Sequence, residues 1–165
     1  MMRSLLLLIA LLLLASSTLC FSAPSSSAAA AGAGKEATTG TKDDKKIVLI
    51  LGGNGFMGSY TVEALLREGS YSVYIANRNS TYFDSAARLQ GVTQALYWDR
   101  RATPVASSKE MTAFFQQHPR LHAIVDFSCY DGLTARDLAT FLINQHIEVG
   151  TYLYISTDSV YEVCI

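Results

Sequence analysis

An apolar, β-branched run, Ile47-Val48-Leu49-Ile50-Leu51, leads directly into Gly52-Gly53-Asn54-Gly55-Phe56-Met57-Gly58. Few segments restrict a fold more tightly. Five apolar residues with no polar face predict a strand covered on both sides, the situation of a parallel sheet between helices. The glycines then let the backbone leave the strand through positive φ and approach other backbone closely. Behind them, Met57, Tyr60, Ala64 and Leu65 recur at helical spacing. That predicts a helix over Phe56–Glu68, with Gly69 as its stop.

The same alternation continues to the end of the chain. Strands are expected at Tyr71–Ala76, Val92–Trp98, Leu121–Phe127 and Tyr152–Ile155. A short helix is expected around Asp84–Gln90. A further helix, capped by Ser108, carries Met111, Phe114 and Phe115 and stops before Pro119. The last helix, Leu133–Ile147, turns Leu138, Phe141 and Leu142 inward. Strands alternating with helices imply right-handed crossovers and a parallel sheet. With 165 residues there is room for one domain. The expected fold is α/β, a Rossmann-type parallel sheet of strand order 3-2-1-4-5, truncated after strand five, with its switch point between strands one and four.

A glycine-rich turn between a first strand and a first helix is suited to a dinucleotide pyrophosphate. The backbone can come close to the phosphates, and the helix N-terminus favours negative charge. Gly52, Gly53, Asn54, Gly55, Phe56, Met57 and Gly58 are therefore expected to bind NAD(P); a glycine turn without a ligand is the alternative. Arg78 lies twenty residues beyond Gly58, where an NAD site would carry a carboxylate for the ribose 2′-hydroxyl. An arginine there can fork onto a 2′-phosphate, so NADP is the expected cofactor, with NAD as the other candidate. A solvated loop arginine is the bland reading. Asp99, at the end of the third strand, is placed to accept from the adenine amino group. Phe127 and Ser128 close the fourth strand, where the chain would pass the adenosine ribose. Asp126 is assigned to nearby backbone or turn donors and left out of the site.

Composition excludes more than it suggests. A net charge of −1 provides no basic surface for nucleic acid. Cys20, Cys129 and Cys164 have no CxxC spacing, and Pro119 breaks the helix that would aim His118 and His122 at one metal. Residues 1–23 have the order of a signal peptide: Arg3, an unbroken apolar run from Leu5 to Leu14, then small polar residues. That run is too short for a stable membrane span. The expectation is entry into the secretory pathway, or a plastid by a bipartite leader, since Phe21 precedes a Ser/Ala-rich, acid-poor stretch. Residues 24–44 read as a disordered linker, and 45–165 as the nucleotide-binding domain. Asn79-Ser80-Thr81 is a glycosylation sequon. A glycan there would crowd the adenosine end, which argues that this loop is not glycosylated.

Two motifs resemble the extended short-chain dehydrogenase/reductase family, the sugar-nucleotide epimerases and dehydratases. Gly52, Gly55 and Gly58 match its TGxxGxxG loop, with Leu51 in place of the threonine. Ser156-Thr157-Asp158-Ser159-Val160-Tyr161-Glu162 closely follows its STDxVYG segment. The resemblance covers about residues 45–162. It implies that Thr157 is a catalytic residue, its hydroxyl bonding a substrate oxygen. Ser159, where the family's dehydratases carry an acid, speaks against dehydration. The family's Tyr-x-x-x-Lys pair has no counterpart in the 165 residues; Tyr74/Arg78 and Tyr97/Arg101 have the spacing but arginine in place of lysine. The resemblance thus implies the cofactor half of an oxidoreductase, with a small-molecule substrate belonging to a longer parent. A non-catalytic nucleotide-binding or regulatory module is the alternative, and an RNA-associated role a third.

Overall fold

The computed structural model describes residues 45–80, 82 and 84–155. The leader, the linker and the Ser156–Glu162 motif with Thr157 lie outside the described residues. Ten elements follow one another: β1 (Lys46–Leu51), α1 (Phe56–Glu68), β2 (Tyr71–Asn77), α2 (Ser85–Arg88), β3 (Gln94–Tyr97), a 3₁₀ turn (Val105–Ser107), α3 (Lys109–Gln117), β4 (Arg120–Asp126), α4 (Gly132–Asn144) and β5 (Glu148–Tyr154). The strands form one sheet of order β3-β2-β1-β4-β5. Each of its four pairings is parallel. This is the α/β arrangement expected from the sequence.

The alternation of side chains along β1 builds two cores. Leu49 and Leu51 join Trp98, Met111, Phe115 and Leu138 on one face. Val48 and Ile50 join Val62, Leu65, Val73 and Val125 on the other. Thus α3 and α4 cover one face and α1 the other, and a strand without a polar side is the consequence. At β5 the pattern changes: alternate residues are exposed from Glu148 to Tyr154.

Helix starts follow local chemistry. Ser108 accepts from the Met111 N–H at 3.4 Å, so the expected cap of α3 is in place. Asp131 does the same for α4, accepting from the Thr134 N–H at 2.8 Å. The end of α1 is set by Gly69, whose N–H donates to the Leu65 carbonyl at 3.2 Å.

Several boundaries differ from the sequence expectation. The last helix stops at Asn144 and not at Ile147, because His146 adopts a left-handed φ of 54° and turns the chain. Strand β5 consequently begins at Glu148, four residues before Tyr152; pairing of Val149 with Leu121 draws in a segment whose strand pattern is broken by Glu148 and Gly150. Strand β3 and helix α2 are shorter than expected. β3 has only β2 as a neighbour, and three of its four residues are exposed.

Candidate functional site

The carboxyl ends of all five strands open onto a cleft of about 740 Å³, within the usual range for small-molecule sites. Its position between β1 and β4 is the switch point where doubly wound sheets bind ligands. Ten of the eleven residues expected to bind cofactor line it. Gly52, Asn54, Gly55, Phe56, Met57 and Gly58 form one wall. Arg78 comes from the end of β2, Asp99 from the end of β3, and Phe127 and Ser128 from the end of β4. The eleventh, Gly53, is not among the lining residues; a Cβ there would stand 2.7 Å from Ile75 Cγ2, so the sheet beneath it leaves no room for a side chain.

The loop depends on missing side chains. Gly52 sits at φ 77° and donates its N–H to the Ala76 carbonyl at 2.9 Å. Gly58 lies so close beneath the loop that a Cβ would collide with the Gly52 carbonyl oxygen and stand 2.9 Å from Gly53 Cα. The start of α1 is also unlike those of α3 and α4. Gly55 offers no capping side chain, and no acid stands in the first turn. The first helical bond is Ser59 N–H to Gly55 O, at 2.9 Å. A helix start with neither cap nor acid, at the edge of a cleft, fits a phosphate group. Charge around the cleft agrees, since Arg78, Arg100 and Arg101 line it together with one carboxylate, Asp99.

Individual side chains qualify the sequence expectations. The Asn54 side chain is buried and donates to the Ser80 carbonyl, so it ties the glycine loop to the loop after β2. Arg78 is exposed, with no ion-pair partner among the described residues. It is carried on a turn in which Asn77 Oδ1 accepts from the Asn79 N–H at 2.7 Å. One Asp99 oxygen accepts from the Arg101 N–H at 3.1 Å.

Asp126 does more than satisfy a turn donor. Its carboxylate does take a turn donor, the Ser128 N–H at 3.0 Å. It also receives Arg100 Nη1 at 2.9 and 2.7 Å and the Tyr152 hydroxyl at 2.7 Å. Burial opposes the charge on Arg100, but the hydrogen bonds and charge of Asp126 outweigh it and leave the pKa above its ordinary value. Burial first, and then the bond to Asp126, raise the Tyr152 pKa. A signal was present: an acid closing a strand covered on both faces needs a partner. The sequence did not say which of thirteen basic residues would supply it.

Among the described residues no group of His, Cys, Asp and Glu is placed to hold a metal, and no helix is long and apolar enough to cross a membrane.

Several solved structures are similar in fold. One is the terminal R domain of the myxalamid PKS-NRPS biosynthetic pathway, at 16% identity, TM-score 0.48, over 73% of this chain and 37% of that one. A second is an epimerase from the thermophilic methanogen Methanothermobacter thermautotrophicus, at 14% identity, TM-score 0.48, over 70% and 36%. A third is the UDP-glucuronic acid 4-epimerase of Bacillus cereus in complex with NAD, at 20% identity, TM-score 0.46, over 70% and 40%. This chain spans about two-fifths of the length of these proteins. No curated protein matches it. The model of the NAD dependent epimerase/dehydratase family matches residues 48–164. Glycine loop, switch-point cleft and family match agree: the chain belongs to the NAD dependent epimerase/dehydratase family and carries its nicotinamide-dinucleotide-binding, Rossmann-type domain.

Proposed function

We propose that this domain holds NADP(H) in preference to NAD(H), as the cofactor-binding unit of an oxidoreductase or epimerase acting on a small molecule. The observation that carries the preference is Arg78: an exposed guanidinium at the end of β2, beside the cleft, with no ion-pair partner among the described residues and no carboxylate on that turn. In this reading the uncapped start of α1 and the glycine loop receive the pyrophosphate. Asp99 accepts from the adenine amino group, Phe127 and Ser128 flank the adenosine ribose, and Arg78 forks onto the 2′-phosphate. The bound nicotinamide would supply hydride acceptance and donation. Thr157 would hold a substrate oxygen by hydrogen bond, as the family resemblance implies. A threonine hydroxyl orients but is a poor proton donor, so turnover needs an acid–base partner.

The sequence contains no tyrosine followed four residues later by lysine. That observation favours a second reading, in which the 165-residue chain binds dinucleotide and performs no redox chemistry, as a regulatory or nucleotide-sensing module. Calorimetric titration with NADP⁺ and NAD⁺ tests the preference, and tighter binding of NAD⁺ would overturn it. An absorbance assay at the reduced-nicotinamide band, run with nucleotide sugars and small carbonyl compounds, separates the two readings. Turnover by this chain would eliminate the second. We further propose that residues 1–23 direct the chain into the secretory pathway, with delivery to a plastid as the alternative. The position of a fluorescent fusion of the full chain decides between them.

A further inference from the structure

The pair Arg100–Asp126 is among the most thoroughly buried charges in the fold. Their side chains are 7% and 0% exposed. Arg100 Nη1 reaches both carboxylate oxygens, and Nη2 donates to the Thr134 carbonyl at 3.2 Å. Its Nε–H, however, is closed off from solvent and has no acceptor among the described residues. The guanidinium stands 5.3 Å from the Trp98 ring and lines the cleft.

Stability alone does not account for this arrangement. A buried ion pair carries the desolvation of two charges, and an unmatched buried donor adds to that burden. Apolar side chains of similar volume often hold a fold as well or better. What apolar side chains lack is direction. Asp126 holds Ser128 by its N–H at 3.0 Å and its hydroxyl at 3.4 Å. Ser128 Cβ stands 3.1 Å from the place where a Cβ on Gly52 would be, so it abuts the glycine loop. Arg100 fixes the turn that carries Asp99 and Arg101. The Tyr152 hydroxyl ties in β5. One carboxylate therefore sets the spacing of three cleft walls: the loop after β1, the turn after β3 and the end of β4.

We propose that Arg100 and Asp126 are positioning residues for the dinucleotide, holding these walls at the separation that the adenosine half requires. The inference rests on the reading that a dinucleotide occupies this cleft. Its prediction is that fold stability and cofactor affinity separate when the pair is exchanged for apolar residues.

The test uses the full chain, the double variant Arg100→Met/Asp126→Leu and the single variant Arg100→Lys, each melted thermally and titrated calorimetrically with NADP⁺ and NAD⁺. The double variant is expected to melt within a few degrees of the parent and to bind the preferred dinucleotide at least about tenfold more weakly. Arg100→Lys keeps the charge and loses the fork, so it should fold and bind severalfold more weakly. If the double variant binds as tightly as the parent, the pair is only structural and the proposal is overturned. Should the double variant fail to fold, Arg100→Lys decides, and parental affinity in that variant overturns the proposal. A parent chain that binds neither dinucleotide removes the cleft reading itself, a failure distinguishable from the other two.

Discussion

Two regions at the carboxyl edge of the sheet do their work by opposite means. The glycine loop, residues 52–58, functions through what it lacks: Gly58 has no side chain, so the helix can tuck against the Gly52 carbonyl. The Arg100–Asp126–Tyr152 cluster functions through what it has, charged and hydroxyl groups buried or half-buried and bonded across three elements. A loop of the first kind gives affinity through backbone and shape. A cluster of the second kind holds elements in register at the expense of buried charge. The cleft thus has one wall set by local sequence and another set by long-range pairing.

The largest effect should come from breaking the cluster on one side. Asp126→Leu strands the Arg100 guanidinium in the interior, and such a break typically costs about 3–5 kcal/mol. Chemical denaturation should show that loss, and an unchanged midpoint would mean that the cluster does not hold the fold. Next comes Gly58→Ala. The added Cβ forces the loop away from α1, with overpacking expected to remove about 1–3 kcal/mol. Dinucleotide binding should fall further than stability does, because the displaced atoms belong to the wall proposed to receive the phosphates. Equal losses in melting and titration would erase the distinction between the two regions.

Arg78 lies outside both regions, and Arg78→Ala should leave each of them intact. An exposed arginine is screened by solvent, so a loss of about tenfold in NADP⁺ affinity is expected, at the low end of charge-assisted bonds, with NAD⁺ affinity nearly unchanged. A parallel drop for both cofactors in calorimetry would assign Arg78 a general electrostatic role. The smallest effect is expected for Tyr152→Phe, which deletes one hydrogen bond to Asp126 and should cost about 1 kcal/mol. Its sign with pH is defined. The folded pKa of Tyr152 is raised, so its contribution is complete below the unfolded value of about 10 and is lost as pH rises through the folded value. The parent should therefore lose stability more steeply than the phenylalanine variant in alkaline melts, and identical alkaline profiles would show that the bond carries no such linkage.

Much of the fold was legible because its causes are local. The limits of α1, the Ser108 cap and the buried first strand follow from residues within a turn or two of one another. The strand order followed from the alternation of elements, since parallel crossovers admit few topologies. The glycine loop was legible for the same reason, and the packing of Ile75 under Gly53 leaves no room there for a side chain. The start of β5 was not legible: Glu148 and Gly150 interrupt the strand signal of Val149 and Thr151, and the segment is held extended by pairing with β4.

The sequence by itself thus determined the α/β architecture, the strand order, the loop that faces the cleft and the absence of a carboxylate beside Arg78. Tertiary structure decided what no local pattern contains: that Arg100 and Tyr152, each 26 residues from Asp126, meet at one carboxylate. Periodicity and glycine spacing are properties of neighbours along the chain, which the backbone expresses wherever it folds. A buried charge chooses its partner only when the sheet has brought distant strand ends together and removed the water between them.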